Sequence, residues 1–528
     1  MVLNVTHFSS PTRVGLPSHK ISDGKRSLGE ILLEQHAISP ADLIHARMLK
    51  AQTQARFGDI LLAHRMVGID DLLAAYALKF SAQIFDIDDH PPNTQLIDAF
   101  GTGFCVRHGI LPWRRLANAA IVLTSRPSEF ERLRHLFPDS FKNSVMALAS
   151  EADIHNSLMQ LRKPQMVQAA ETRVAETDSC RTWRAPQILA GGVVILAILL
   201  TAFVYAPQAM FASLCIWAVF TLVLNMWLKA HAAFYGWKEI QAAKSAPPPS
   251  ANITPLRKPV VSIMVPLFKE KEIATTLVKR LSLLTYPKHL LDIMLVTEDN
   301  DTLTKATLEA TDLPSWIRIV EVPKGTLRTK PRALNYALDF CRGSIIGVYD
   351  AEDAPAHGQI ETVVTAFQAA PPEVACLQGI LDFYNRHTNW LARCFSVEYA
   401  TWFRMILPGL ARLGFVIPLG GTTLFFRRDA LEELGGWDAH NVTEDADLGV
   451  RLARRGYITQ LIKTVTQEEA NCRPWPWVKQ RSRWLKGYAV TYGVHMRNPL
   501  KLLSDLGAWR FFGFQLLFLG ALSQFVLA

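Results

Sequence analysis

The feature that most limits the fold of this chain is a long uncharged segment near its middle. Residues 186–228 contain no Asp, Glu, Lys, Arg or His, and Pro207 divides them into two apolar runs. Each run is about as long as the ~20 residues that cross the hydrocarbon core of a bilayer as a helix. A pair of buried helices in a soluble protein is the alternative, but two such runs back to back favour a pair of transmembrane helices.

The charges around this hairpin indicate its orientation. Arg181 and Arg184 precede it, Lys229 and Lys238 follow it, and its tip is uncharged. The positive-inside rule therefore places both flanks in the cytoplasm. A third apolar segment, 509–528, predicts the start of another transmembrane helix. Because the sequence stops inside that segment, we expect a truncated chain whose natural form continues.

Composition narrows the remaining choices. A net charge of +9 over 528 residues suits contact with anionic lipid or an anionic substrate, and no dense Lys/Arg run or motif indicates a nucleic-acid partner. The seven cysteines form no CxxC pair, which favours reduced residues on a cytosolic face over disulfides or zinc. Residues 1–25 lack the apolar core of a signal peptide and are predicted to be a disordered N-terminus.

The N-terminal region contains a repeat. Residues 27–52 and 56–83 align at an offset of 29 residues, so that Gly29 falls on Gly58. Each copy is predicted to form two short amphipathic helices, and two copies are expected to make a compact helical pair. The sequence that follows mixes short strands with helices, which predicts an α/β module ending near residue 162.

Region 26–162 resembles the N-terminal domain of type II secretion and pilus ATPases. In several of those proteins each repeat binds cyclic di-GMP through a leucine-glycine opening, a glycine in the helix link and a later glutamine. The resemblance makes cyclic di-GMP a candidate regulatory ligand, and its candidate contacts are Arg26, Leu28, Gly29, Arg56 and Gly58.

This chain departs from that pattern in both repeats. His36 and Arg65 stand at the link-glycine positions, and Lys50 and Lys79 stand where the glutamines are expected. A docking module without a ligand is therefore the alternative. No GxxxxGKS/T P-loop follows, which excludes a secretion ATPase.

A Pro-rich linker at 239–258 leads into a region where predicted strands alternate with helices. The second strand runs into the acids of TEDND (297–301), and the fourth runs into those of YDAED (349–353). Acids at the C-terminal ends of parallel strands mark the ligand edge of an open α/β sheet. Asp350 and Glu352 are suited to hold a divalent metal that neutralises a diphosphate leaving group.

Two further motifs lie downstream. VTEDADLG (442–449) places three carboxylates at the start of a predicted helix, either as an acidic first turn or with one of them doing chemistry. QRSRW (480–484) combines a guanidinium with an indole on a basic, amphipathic stretch. The order YDAED, VTED, QRSRW over 258–528 resembles family 2 glycosyltransferases, specifically the membrane-embedded processive group that includes cellulose and hyaluronan synthases.

That resemblance implies a glycosyltransferase A-type nucleotide-sugar domain and assigns a donor site. Glu298 and Asp299 match the acids that contact the uridine of a UDP-sugar, although Asp-Asp-Gly is the usual form and Asp299 fits better. Lys330 matches a lysine near the donor phosphates. Asp350 and Glu352 match the element that holds Mg²⁺ or Mn²⁺ and the diphosphate.

The resemblance also assigns an acceptor site. Asp445 matches the general base that deprotonates the acceptor hydroxyl, which a carboxylate within hydrogen-bond reach can do. Glu444 lies beside it in the same motif, and the next acid, Asp447, is expected to be structural. Gln480, Arg483 and Trp484 match the motif that holds the glycan end and the diphosphate.

The implied activity is the inverting, metal-dependent transfer of a sugar from a UDP-sugar to a growing glycan. The resemblance also implies that the glycan is secreted across a bacterial inner membrane, with export or accessory subunits as further partners. A non-processive transferase acting on a lipid or protein, and a cyclic di-GMP receptor with a degenerate transferase domain, are the alternatives. The predicted segments are a disordered 1–25, an N-terminal domain at 26–162, a linker at 163–185, a multi-pass membrane part beginning with the hairpin at 186–228, a linker at 239–258, a cytoplasmic transferase domain with interfacial helices at 259–500, and a third span from 509.

Overall fold

The computed structural model describes residues 26–87, 91–116, 119–183, 185–245, 257–270, 273–311 and 313–527. The predicted disordered segment 1–25 lies outside them. The helices are α1 (Leu28–Glu34), α2 (Pro40–Gln52), α3 (Phe57–Ala63), α4 (Ile69–Phe80), α5 (Thr94–Phe100), α6 (Thr102–His108), α7 (Phe130–Arg134), α8 (Glu151–Thr172), α9 (Ala185–Tyr205), α10 (Pro207–Ser245), α11 (Ile273–Ser282), α12 (Thr302–Glu309), α13 (Lys330–Leu338), α14 (Gln359–Ala369), α15 (Trp390–Thr401), α16 (Leu407–Arg412), α17 (Arg428–Glu433), α18 (Glu444–Arg454), α19 (Pro474–His495), α20 (Pro499–Phe514) and α21 (Gly520–Leu527). The strands are β1 (Ile110–Leu116), β2 (Ala119–Thr124), β3 (Ser144–Leu148), β4 (Val261–Leu267), β5 (Leu291–Glu298), β6 (Ile317–Val322), β7 (Ile345–Val348), β8 (Ala354–Pro355), β9 (Val374–Phe383), β10 (Leu424–Arg427) and β11 (Ile458–Glu468).

The two sequence repeats form equivalent helix pairs, α1–α2 and α3–α4. The links between the paired helices also match, because Ala37 N–H donates to the Leu32 carbonyl and Met66 N–H to the Leu61 carbonyl, both at 2.9 Å. His36 and Arg65 occupy these links with φ of +57° and +54°. That left-handed conformation favours glycine, which gives a physical reason for the glycine that the resembling family carries there.

The module after the repeats contains a three-stranded sheet in the order β1-β2-β3, with β1 antiparallel and β3 parallel to β2. Strand β3 was not predicted. The sequence-based linker at 163–185 is corrected by the structure, because α8 continues to Thr172 with a kink at Arg162, and two 3₁₀ turns follow before residue 183. The apolar residues of α8 that face inward keep this segment packed on the rest of the protein.

The apolar hairpin breaks where the sequence predicts, since α9 ends at Tyr205 and α10 begins at Pro207. Among the described residues, two helical segments are long and apolar enough to cross a membrane, Pro207–Lys238 and Pro499–Leu527, while the apolar part of α9, Ala190–Tyr205, is shorter. Helix α10 continues to Ser245, so the first part of the predicted linker 239–258 is helical. Residues 246–256 of that linker lie outside the described residues.

The catalytic region is built on an eight-stranded mixed sheet in the order β6-β5-β4-β7-β10-β9-β11-β8. Strands β6, β5, β4 and β7 are parallel, as predicted, and β10 runs antiparallel to both of its neighbours. Met264 in β4 lies opposite both Met294 in β5 and Val348 in β7. This register brings the C-terminal ends of β5 and β7 to the same edge of the sheet.

Both faces of the sheet are covered, which confirms the predicted α/β class. Ile263 and Val265 pack on the face that contacts α11 and α14, and Met264 packs on the face that contacts α13. The helical repeats belong to the first of these cores, and the β1–β3 module belongs to the second. The N-terminal region therefore shares its hydrophobic cores with the catalytic region instead of being tethered to it.

Candidate functional site

The predicted donor acids lie at the edge where β5 and β7 end. Glu298 is buried, and both of its carboxylate oxygens accept hydrogen bonds of 3.2 Å from Arg332, which is fully buried. Asp299 is more exposed and lies 3.4 Å from Lys163 and 3.8 Å from Lys305. Of the two acids, Asp299 is therefore the one whose side chain is accessible to a ligand, whereas Glu298 orients an arginine.

Lys330 begins α13 and reaches the end of β7. Its ammonium group contacts the Asp350 carboxylate and donates to the Gly421 carbonyl at 3.0 Å. Burial lowers the pKa of Lys330, but the charges of Asp350 and Glu444 outweigh that effect and raise it overall. The structure thus brings Lys330 together with Asp350, the predicted metal ligand, although the sequence analysis selected the two residues from separate motifs.

Two acids that the sequence interpretation missed complete this cluster. Asp353 is fully buried and accepts hydrogen bonds from the Asp350 N–H, at 2.8 Å, and from the Thr422 hydroxyl. Glu468 ends β11, next to the pairing of Gln467 with Ala354. Asp353 Oδ1 and Glu468 Oε1 are buried, and neither has a hydrogen-bond partner among the described residues. The sequence shows both residues, because Asp353 is the third acid of YDAED and Glu468 is the first acid of TQEEA (466–470).

The pKa values of these acids reflect crowding. Burial, reinforced by the negative charge of Asp350, raises the pKa of Glu352 and that of Asp353. Burial and the charge of Asp353 raise the pKa of Glu468 in the same way. A cluster of this kind gains stability when a cation approaches it, since the cation favours the ionised carboxylates.

The carboxylates of this cluster suit a divalent cation whose coordination is completed by the phosphates of a substrate. Within the described ranges, no three His, Cys, Asp or Glu side chains lie close enough to enclose a metal ion by themselves. Mg²⁺ is commonly held by one or two carboxylates together with substrate phosphates. The carboxylates of Asp350 and Glu352 are hard oxygen ligands of that type, and Asp353 and Glu468 each add a buried oxygen without a hydrogen-bond partner among the described residues.

The VTEDADLG motif forms the first turn of α18 and faces the same cluster. Asn441 accepts a 3.1 Å hydrogen bond from the Thr443 N–H and donates a 3.0 Å hydrogen bond to Thr491 on α19. Asp445 Oδ1 accepts from the Ala446 N–H at 2.8 Å. A Cβ placed on Gly421 would lie 3.4 Å from Asp445 Oδ2, so Asp445 lies beside the loop whose Gly421 carbonyl accepts a hydrogen bond from Lys330.

Burial raises the pKa of both acids in this turn. The pKa of Glu444 is raised to about 8 by burial and by the neighbouring charge of Asp445. The pKa of Asp445 is raised to about 6, mainly by burial, while the Ala446 N–H and Lys330 act in the opposite direction. A carboxylate with a pKa near 6 is mostly ionised at neutral pH and is a better proton acceptor than an ordinary aspartate.

Asp447 has a structural environment. Its carboxylate pairs with Arg451 at 2.7 Å and with His495 at 3.1 Å, and all three side chains are buried. His495 lies on α19, so this cluster joins α18 to the helix that carries QRSRW. The expected structural role of Asp447 agrees with these contacts.

Two of the predicted acceptor residues, Gln480 and Arg483, border a cavity of about 370 Å³, which is also lined by Asn471, Pro476 and Lys479. Gln480 accepts a 2.8 Å hydrogen bond from Asn471. In the part of the chain that the structure describes, Arg483 has no carboxylate within ion-pair distance. The cavity therefore presents a lysine and an arginine that are available to phosphate oxygens.

Trp484 lies beside this cavity, in contact with an arginine. The Arg481 guanidinium lies 4.9 Å from the Trp484 ring, 5.1 Å from Trp477 and 5.0 Å from Phe395, and it pairs with Glu398 on α15. The Trp484 ring, which the resemblance assigns to the motif that holds the glycan end, is thus already engaged in a cation–π contact. The sequence interpretation did not identify Arg481 as the residue that anchors α19 to α15.

The candidate nucleotide contacts of the N-terminal repeats lie apart from the catalytic cluster. Arg26 pairs with Glu34 at 2.5 Å, and Arg56 pairs with Asp59 at 2.7 Å. Leu28 is part of the repeat core. A Cβ on Gly29 would overlap the Leu43 side chain, and a Cβ on Gly58 would overlap the Tyr76 hydroxyl. Close helix packing therefore explains both glycines without a ligand.

Comparisons with known proteins match two parts of the chain. Residues 258–487 match the family model described as glycosyltransferase like family 2. Residues 76–168 match the MshEN domain. The second match begins inside α4, so it includes the end of the second repeat, the β1–β3 module and most of α8.

Curated relatives match part of this chain. The probable glycosyltransferase YdaM of Bacillus subtilis is 26% identical over 272 residues, which are 50% of this chain and 64% of that protein. A beta-monoglucosyldiacylglycerol synthase of Nostoc is 29% identical over 43% of this chain and 49% of that protein. The cellulose synthase catalytic subunit of Komagataeibacter sucrofermentans is 27% identical over 40% of this chain and 27% of that protein. The chain thus spans between about a quarter and two thirds of the length of these relatives.

Proposed function

We propose that the protein transfers a sugar from a UDP-sugar to a growing glycan, with inversion at the anomeric carbon. The reaction takes place at the cytoplasmic face of a bacterial inner membrane, and the glycan is secreted. The match of residues 258–487 to the family 2 glycosyltransferases supports this proposal. The observation that carries this proposal is the convergence of Lys330 and Asp445 on the loop at Gly421, with Asp350 in contact with Lys330. A donor-phosphate site and a base of raised pKa are thereby adjacent.

The donor is proposed to lie along the ends of β5 and β7. Asp299 is the accessible acid for the nucleoside, and Lys330 neutralises the diphosphate. Asp350 and Glu352 would hold Mg²⁺ or Mn²⁺, which when bound would offset the charge that develops on the leaving diphosphate. Asp353 supports this role, because its hydrogen bonds from the Asp350 N–H and from Thr422 fix the turn that presents Asp350.

The acceptor hydroxyl is proposed to approach Asp445, which removes its proton as the new glycosidic bond forms. The position of Asp445 is fixed by the Ala446 N–H and by the attachment of α18 to α19 through Asn441 and Thr491. Arg483 and Gln480, beside the cavity on α19, are proposed to bind the diphosphate and the end of the acceptor. A guanidinium is suited to this because its donors match phosphate oxygens in pairs.

The experiment supplies membranes that contain the full chain with a panel of labelled UDP-sugars and Mg²⁺ or Mn²⁺. We expect UDP and a labelled glycan from one of these sugars. Asp445→Asn is expected to abolish turnover while the Kd for UDP stays within about twofold of wild type. Asp429→Asn, an exposed acid in the first turn of α17, is the matched control. Wild-type product formation by Asp445→Asn would overturn the base assignment, and a wild-type protein that binds UDP but transfers sugar from none of the UDP-sugars would overturn the proposed activity.

A lipid acceptor is the second candidate function, and one surface favours it. Trp475 on α19 is 67% exposed, and on α15 Trp390 is 76% and Val397 67% exposed. These apolar side chains lie on the two helices that Arg481 joins, next to the acceptor cavity, and suit an interfacial position at a bilayer. One relative is named a beta-monoglucosyldiacylglycerol synthase. Extraction of the labelled product into organic solvent as a single-sugar glycolipid would favour this acceptor over a polymer.

The N-terminal region is proposed to regulate the transferase, with cyclic di-GMP as the candidate ligand. The match to the MshEN domain and the paired repeats support a regulatory module. Because helix packing accounts for Gly29 and Gly58, these two glycines are not evidence for a nucleotide, and its binding has to be measured directly. Titration of the full protein with cyclic di-GMP in a calorimeter should release heat with a saturable curve, and a flat titration would exclude the nucleotide as ligand.

A further inference from the structure

We propose that α8, the last helix of the N-terminal region, positions the donor edge of the catalytic domain through Glu171 and Lys163. Neither side chain contacts the reacting atoms, so both are positioning residues. The inference rests on the proposed function for the identity of the donor site. The contacts themselves lie between described residues on both sides of the boundary between the two regions.

Glu171 holds the loop that precedes Lys330. Its Oε1 accepts hydrogen bonds from the backbone N–H of Thr326 at 2.8 Å and of Leu327 at 3.1 Å, and its Oε2 accepts from the Thr326 hydroxyl at 2.5 Å. Glu171 is buried. Three hydrogen bonds to one carboxylate fix both the path and the orientation of this loop, and charged acceptors make stronger hydrogen bonds than neutral ones.

The same carboxylate touches the arginine that holds Glu298. Arg332 Nε lies 3.3 Å from Glu171 Oε1, and Arg332 Nη1 lies 3.2 Å from Glu298. A Cβ on Gly325 would overlap Glu171 Oε1 and lie 2.7 Å from Arg332 Nη2. Glu171 and Arg332 therefore pack closely against this turn, and movement of Glu171 would be transmitted to the loop and to Arg332.

Lys163 makes the second contact, with the accessible donor acid. Its ammonium group lies 3.4 Å from Asp299 Oδ2. Lys163 follows the kink of α8 at Arg162, whose guanidinium pairs with Asp98 of the N-terminal module at 2.7 Å. The kink is therefore anchored in the N-terminal module, and the next residue reaches the catalytic domain.

The end of α8 is also fixed to α13, the helix that Lys330 begins. Asn335 donates a 3.0 Å hydrogen bond to the Ala170 carbonyl, and Arg173 pairs with Asp339 at 2.7 Å. The contacts of α8 thus fall on the loop before Lys330, on Arg332 and on Asp299, which are the elements that present the donor groups. A change in the N-terminal module that tilts α8 would therefore alter donor binding.

The test compares Glu171→Gln and Lys163→Ala with matched controls. Glu171→Gln keeps the shape of the side chain but loses its charge, and its control is Glu131→Gln on α7, where the side chain is 76% exposed. The control for Lys163→Ala is Lys142→Ala, where the side chain is 61% exposed. We expect each α8 variant to weaken UDP binding about tenfold and to raise KM for the UDP-sugar more than it lowers kcat.

Hydrogen–deuterium exchange supplies a readout that does not depend on activity. Glu171→Gln should increase exchange of the amides at 325–330, while the controls leave it unchanged. Thermal unfolding reports whether a variant is folded. A folded Glu171→Gln variant with wild-type UDP affinity and wild-type exchange at 325–330 would overturn the positioning role. If the wild-type protein did not bind UDP, the proposed donor would be wrong, and the exchange result would still decide whether Glu171 orders the loop.

Discussion

Lys330 contacts the Asp350 carboxylate and, through its 3.0 Å hydrogen bond to the Gly421 carbonyl, also fixes the loop that faces Asp445. One ammonium group thereby connects the start of α13, the end of β7 and the loop before β10. The surrounding acids, Glu352, Asp353, Glu444 and Glu468, are crowded together, and burial raises the pKa of each of them. A positive charge at Lys330 therefore matters both for a diphosphate and for the acids themselves.

Lys330→Ala should weaken UDP binding at least about tenfold and reduce transfer more strongly, because the phosphates lose a cation and the acids lose their counter-charge. Calorimetric titration with UDP and initial rates with the UDP-sugar measure the two effects. Lys279→Ala, an exposed lysine on α11, is the control and should behave as wild type. Unchanged UDP affinity in Lys330→Ala would place the phosphates elsewhere.

The rate of transfer should fall as the pH decreases through about 6, the raised pKa of Asp445. The sign follows from the role of the base, which must be ionised to accept the acceptor proton and is progressively protonated below its pKa. The measurement is kcat/KM against pH for the wild type and for Asp429→Asn, which should share the same acidic limb. A wild-type rate that stayed constant from about pH 8 to about pH 5 would exclude a base with this pKa.

The parallel half of the sheet and the apolar hairpin were predictable because each has a strong local pattern. Strands β4, β5 and β7 are continuous apolar runs that end at acids, and the break at Pro207 is imposed by an imino acid that starts a helix well. Strands β9 and β11 were missed because their pairing is set by partners far away in the sequence. The extension of α8 past Pro164 was also missed, since proline normally ends a helix and here only kinks it.

The site was predictable where a motif carries the chemistry. Asp350, Glu352 and Asp445 were selected by spacing and resemblance, and their roles stay predictions; the structure brings Asp350 into contact with Lys330. Asp353 and Glu468 were missed because each is distinguished by one buried carboxylate oxygen without a hydrogen-bond partner among the described residues, which spacing does not reveal. The contacts of Glu171 lie 155 or more residues away in the sequence, and no local pattern could have indicated them.

Gly487 is predicted to be essential for the approach of α19 to α18. A Cβ at this position would overlap Thr443 Cγ2 and lie 2.8 Å from Thr443 Cβ, directly before Glu444 and Asp445. Gly487→Ala should cost about 1–3 kcal/mol of stability and lower kcat, since either α19 or the start of α18 must shift. Gly358→Ala, at a glycine whose Cβ would meet open space, is the control. Thermal unfolding and kcat are measured together, and wild-type values for both in Gly487→Ala would contradict the close contact.

Variants in the N-terminal repeats can show whether their glycines serve helix packing or ligand binding. Gly58→Ala should lower the unfolding temperature of the protein, because its Cβ would overlap the Tyr76 hydroxyl and lie 3.2 Å from Leu72. Arg65→Gly should leave stability unchanged or raise it by up to about 1 kcal/mol, because φ at this link is left-handed.

Differential scanning calorimetry measures both variants, and cyclic di-GMP titration is repeated on each. Loss of nucleotide heat in Gly58→Ala without any change in unfolding temperature would assign the glycine to ligand binding. A lower unfolding temperature, with the same nucleotide response as wild type in the folded fraction, would assign it to helix packing, as the structure favours.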